Sequence, residues 1–78
     1  MDEKQAAAKF TALAQETRVR LLRLLSSAGA TGMGAGELHR RTGVPASTLS
    51  FHLSALEQAG LVQSTRQGRT STYAIRFV

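Results

Sequence analysis

The stretch Ser50-Phe-His-Leu-Ser-Ala-Leu-Glu-Gln-Ala-Gly-Leu-Val62 decides the fold. It reads as a helix that stops at Ala59-Gly60 and runs directly into a strand. Gly60 is expected to form the left-handed C-terminal cap, because it lacks the Cβ that makes that conformation costly. The strand spans Leu61 to Arg66, a basic turn follows at Arg66-Gln-Gly-Arg69, and a second strand spans Arg69 to Val78. Gln67-Gly68 is expected at the turn itself. In the last strand Tyr73, Ile75 and Phe77 share one face and Thr72, Ala74 and Arg76 the other. The first of these faces should be core.

Upstream, Asp2 to Ala14 favours helix, with acidic residues in the first turn and abundant Ala. Ala6, Phe10, Leu13 and Ala14 fall on one stripe at helical spacing. Thr17 is expected to cap a second helix, Arg18 to Ser27. There Val19, Leu21, Leu22, Leu24 and Leu25 cover a wide arc and leave Arg20 and Arg23 on the wet side, the pattern of a central helix packed on more than one side. A glycine-rich connection, Ala28 to Gly34, carries Met33, expected in a one- or two-residue strand paired with the later hairpin. A short helix, Ala35 to Thr42, precedes Gly43, and a longer helix spans Pro45 to Ala59, with Pro suited to its first turn. Leu38, Val44 and Leu49 should hold these two helices together. The order is α-α-(β)-α-α-β-β in a single domain, residues 1–78: mainly α with a small β-hairpin, a winged helix-turn-helix.

Seventy-eight residues support one modest core, built mainly from leucine. Ten Lys or Arg against five Asp or Glu leave a formal charge of +5. Eight of the ten cations are Arg, which suits bidentate phosphate and base-edge contacts and points to a polyanionic partner. There is no cysteine, hence no disulfide and no thiolate metal site. No apolar run approaches the roughly 20 residues of a membrane span, and Met1-Asp-Glu-Lys-Gln-Ala is no signal peptide. A cytoplasmic chain with no membrane partner is the simplest expectation.

On a helical wheel of the longer helix, Leu49, Leu53 and Leu56 cluster on the core side. Ser47, Phe51, Ser54 and Gln58 lie opposite, flanked by Thr48 and Ser50, and this outward stripe carries no charge. Small hydroxyl side chains let a helix sink into a major groove, where Ser and Thr bond base edges or phosphates. An outward Phe is costly in water and suits contact with thymine methyls or bases. Arg40 and Arg41 on the preceding helix, and Arg66, Gln67 and Arg69 at the hairpin, lie where a phosphate backbone or minor groove would pass. The arginines also have plainer uses, solvation for the first pair and blunting of a sheet edge for Arg66 and Arg69. His52, beside the apolar stripe, and His39 read as structural. Two histidines with no other soft ligand make a poor metal site.

Leu13-Ala-Gln-Glu-Thr-Arg-Val-Arg-Leu-Leu22, Gly43-Val-Pro-Ala-Ser-Thr-Leu-Ser-Phe-His-Leu53, Ala59-Gly-Leu-Val62 and Gly68-Arg69 together resemble the arsenic-repressor (ArsR/SmtB) family of bacterial winged-helix regulators. The Ser-Phe-His-Leu version looks most like its proteobacterial arsenical-responsive branch. The resemblance implies a homodimeric, cytoplasmic, nucleoid-associated repressor on a palindromic DNA operator, released by an inducer that is usually a metal or metalloid. It maps DNA contacts onto Ser47, Ser50 and Phe51 and onto the wing from Arg66 to Arg69. Many members have His where Phe51 stands. The helix Gly36-Glu-Leu-His-Arg-Arg-Thr42 lacks the cysteine pair of many members, and the family's C-terminal dimerisation helix is missing after Val78, so no cofactor or metal is expected on this chain.

The expected function is therefore sequence-specific DNA-binding transcriptional regulation. A winged-helix protein–protein interaction module is the alternative, and steep salt dependence would separate the two. An enzyme is not expected: no acidic residue completes a triad with Ser and His, and no phosphate loop or small-molecule substrate site is visible.

Overall fold

Asp2 starts the first helix. Its carboxylate accepts from the Gln5 N–H at 2.8 Å while the Gln5 side chain accepts from the Asp2 N–H at 3.1 Å, a reciprocal capping box. From this cap helix α1 runs unbroken from Glu3 to Ala28. The expected boundary at Thr17 does not exist. The Thr17 hydroxyl donates instead to the Leu13 carbonyl at 2.9 Å, the bond by which a threonine is accommodated inside a helix. Gln15 and Glu16 favour helix, and neither Gly nor Pro occurs between Glu3 and Ala28. The two expected N-terminal helices are one.

The computed structural model describes residues 1–76, so the core role expected of Phe77 lies outside the described residues. After α1 come a single 3₁₀ turn (Gly29–Thr31), β1 (Met33–Gly34), α2 (Ala35–Thr42), α3 (Ala46–Gln58), β2 (Val62–Gln67) and β3 (Thr70–Ile75). The strands form one antiparallel sheet in the order β1-β3-β2, with Met33 opposite Tyr73 and Val62 opposite Ile75. The Met33 strand thus pairs with the hairpin as expected, and the architecture is a mainly helical winged helix-turn-helix.

Two glycines shape the part that follows α3. Gly60 takes φ 79°, the Leu61 N–H donates to the Leu56 carbonyl and the Gly60 N–H to the Glu57 carbonyl, each at 3.0 Å. This pair of bonds is a Schellman cap, and it turns the chain within three residues from α3 into β2. At the hairpin, Gln67 pairs with Thr70, so the two turn residues are Gly68 and Arg69 and not Gln67 and Gly68. Gly68 has φ 62°, whereas no non-glycine residue among those described has a positive φ. A positive φ only at the first central residue is the II′ pattern; the expected register would have forced it onto Gln67.

Leu21, Leu25, Met33, Leu38, Leu49, Leu53, Leu56 and Val62 make one buried cluster, with Val44, Tyr73 and Ile75 packed at its margin. Leu38, Val44 and Leu49 therefore join α2 to α3 as expected. In β3 both faces are covered: Tyr73 and Ile75 meet the core, and Ala74 on the other face is buried too, close to Gly32. The apolar stripe of α1 behaves differently along its length. Leu21 and Leu25 are fully buried, whereas Phe10 and Leu13 earlier on the stripe are 71 and 59% exposed, and Val19, on the opposite side of the helix, is 50% exposed.

Candidate nucleic-acid interface

The turn between α2 and α3 is stitched by side chains from its own flanks. The Thr42 hydroxyl donates to the Leu38 carbonyl at 2.7 Å and accepts from the Val44 N–H at 3.2 Å. His39 Nδ1 lies 2.6 Å from the Val44 carbonyl, which only accepts, so this imidazole carries its proton on Nδ1. His39 is therefore a brace across the turn. Nothing in its spacing identified Thr42 as the second brace, although Thr before Gly-Val is a plausible turn hydroxyl.

Helix α3 divides sharply into two sides. Leu49, His52, Leu53 and Leu56 are buried. Ser47, Thr48, Ser50, Phe51, Ser54 and Gln58 are all exposed. Its one acidic residue, Glu57, is tied down, because Ser64 on β2 donates to its carboxylate at 2.8 Å. The central outward row Ser47, Phe51, Ser54 and Gln58 carries no charge, as the wheel anticipates, and exposed Glu57 lies to one side of it.

His52 is the one buried polar side chain of the described residues, 6% exposed. Its Nδ1 accepts from Arg18 Nε on α1 at 3.3 Å, which requires the neutral ring with its proton on Nε2. Burial, and then the Arg18 charge, hold its pKa below the usual histidine value. The sequence marks His52 as a brace but leaves its partner unseen, because 34 positions separate it from Arg18. The Phe51 ring stands edge-on to this imidazole, centroids 5.8 Å apart at 71°.

Basic residues gather on two further elements, α2 and the hairpin. Arg40 and Arg69 line one groove together with Glu37 and Thr70, between α2 and the hairpin tip. Arg41 is partly occupied by Glu37, 3.0 Å away on the next helical turn. Arg66 donates to the Gly68 carbonyl at 3.1 Å and so braces the turn. Gln67, the last residue of β2, is exposed beside it.

A thiophilic metal does not fit the donors available. The chain has no cysteine, and no group of three His, Asp or Glu side chains comes together among the described residues. Both imidazole Nδ1 atoms are already engaged. No helix among those residues is long and apolar enough to cross a membrane.

Comparison with known proteins gives this geometry its context. A helix-turn-helix domain family matches residues 13–65. The HTH-type transcriptional regulator YgaV of Escherichia coli K12 is 40% identical over 73 residues, covering 94% of this chain and 72% of YgaV. HlyU from Vibrio cholerae superposes with a TM-score of 0.73 at 29% identity, covering 100% of this chain and 84% of HlyU. A homodimeric winged helix-turn-helix DNA-binding domain from Mycobacterium bovis, a possible ArsR-family regulator, gives 0.72 at 28% identity, covering 99 and 74%. The chain belongs to the ArsR/SmtB family of winged helix-turn-helix transcriptional regulators. In ArsR/SmtB terms α2 and α3 are the helix-turn-helix, α3 is the recognition helix and the β2–β3 hairpin is the wing. The family is one of DNA-binding regulators and not of enzymes.

Proposed function

We propose that this chain is a repressor that binds a palindromic double-stranded operator as a homodimer, on the nucleoid in the bacterial cytoplasm, and leaves it when an inducer binds. The observation that carries the reading is the exposed, uncharged row Ser47, Phe51, Ser54 and Gln58 of α3, on a domain whose Arg40 and Arg69 line a groove between α2 and the hairpin tip. A helix seeking only solvation would carry Lys and Glu there. Ser47, Thr48, Ser50, Phe51 and Ser54 would face base edges, while Arg40, Arg41, Arg66, Gln67 and Arg69 would hold phosphates. Dimerisation is supported by the homodimeric state of the Mycobacterium bovis domain. It is supported also by two exposed apolar features of α1: Phe10 and Leu13 on one side, and Val19 on the other, where a mainly apolar groove of about 470 Å³ lies between Gln15, Arg18, Val19 and Leu22 of α1 and Ala55, Leu56, Ala59 and Leu61.

Selection of bound duplexes from a random pool, followed by sedimentation of the complex, tests the reading. A palindromic site occupied by two chains is expected, with affinity falling steeply as salt rises. An unenriched pool, or affinity indifferent to salt, would instead favour a protein-binding module.

A further inference from the structure

We propose that Phe51 is a specificity-determining residue whose ring reads the C5-methyl group of a thymine in the major groove of each operator half-site. The inference rests on the DNA-binding reading above and adds the chemical feature that is read. Phe51 is 67% exposed near the middle of α3. Its neighbours one turn away on the same side, Ser47 and Ser54, are exposed and much shorter. When α3 approaches a groove, the ring is the first group to arrive, and the serines let it come close.

A phenyl ring neither donates nor accepts a conventional hydrogen bond, so the polar pattern of a base edge gives it nothing to read. The thymine methyl is the apolar feature on the major-groove edge of the four natural base pairs. The surface that dimerisation would use does not account for Phe51, which does not line the apolar groove between α1 and α3. The ring is also supported. It stands edge-on to His52, and that imidazole is buried and anchored to Arg18. A ring standing on a fixed base loses less freedom on contact than one on a free stem.

The test uses the full chain and synthetic duplexes of the selected operator, with each thymine in turn replaced by uracil. One position per half-site is expected to lose about fourfold in affinity, the worth of one buried methyl. Replacement of that uracil by 5-bromouracil, whose bromine fills the space of the methyl, is expected to restore it. Phe51→Ala should bind thymine and uracil operators alike. A chain that still prefers its operator yet ignores every uracil, or a selected half-site without thymine, overturns the proposal while leaving the DNA reading intact. A uracil effect that persists in Phe51→Ala overturns it too, because another residue then reads the methyl. A chain without any sequence preference removes the DNA reading itself.

Discussion

Ser47 and Phe51 lie one turn apart on the exposed side of α3, and neither supports the core. Ser47→Ala and Phe51→Ala are each expected to weaken operator binding by about 1–3 kcal/mol while changing affinity for random DNA much less. Titrations of both duplexes at one salt concentration measure the difference. Arg69 should behave otherwise. It occupies the wing turn with no side-chain partner among the described residues, so a phosphate is its natural contact. Arg69→Ala is expected to weaken operator and random DNA together and to lower the salt slope by about one per protomer. A loss confined to one base pair would assign it to the minor groove instead. His52 makes a prediction about pH. Burial and Arg18 both favour its neutral form, so the folded chain takes up this proton at a lower pH than the unfolded chain, which titrates near 6.5. Its contribution to stability is intact above about 6.5 and is lost as pH falls through the lower folded value. Urea midpoints across that window should drop more steeply for the parent chain than for His52→Gln.

Among the elements, those whose ends carry decisive local chemistry were legible from residues alone. Gly43 and Gly60 mark the ends of α2 and α3, and Leu49, Leu53 and Leu56 orient α3 before any partner is known. The exposed Ser47–Phe51–Ser54 row follows from the same wheel. Thr17 misled because one hydroxyl has two uses, capping a new helix or bonding back to the carbonyl four residues earlier, and nothing in Gln15-Glu-Thr-Arg18 chooses between them. The wing turn slipped by one residue because Gly68 fits either central position, and the choice depends on cross-strand pairing. Arg18 was missed as the partner of His52 for the same reason: it is a tertiary contact. The Schellman cap is the element-scale feature most open to test. Gly60→Ala places a Cβ in the left-handed region and is expected to destabilise the chain by about 1–2 kcal/mol, read from urea unfolding. A destabilisation much smaller than this would mean that the α3–β2 junction relaxes into another turn.

At the scale of the whole molecule, charge and chemistry restrict what the regulator can sense. With no thiol, and with His39 and His52 each engaged inside the fold, arsenite, cadmium or zinc at micromolar levels are expected to leave operator binding unchanged. Titration of each into a preformed complex measures this, and stoichiometric release by arsenite would sink the expectation. The uninterrupted α1 has a mechanical consequence. Its 26 residues form a rod without a hinge. Glu3 lies 18 positions before Leu21, which is roughly 27 Å of helix, so a tilt of about 10° at the core sweeps that tip through about 5 Å. The rod carries exposed Phe10 and Leu13 in its N-terminal half and, through Arg18 just past its middle, grips the reading helix. In a dimer joined along these rods, their crossing angle would act as a lever arm that sets the span between two reading heads. A small torque on that joint is then enough to move both heads out of step with the pitch of DNA.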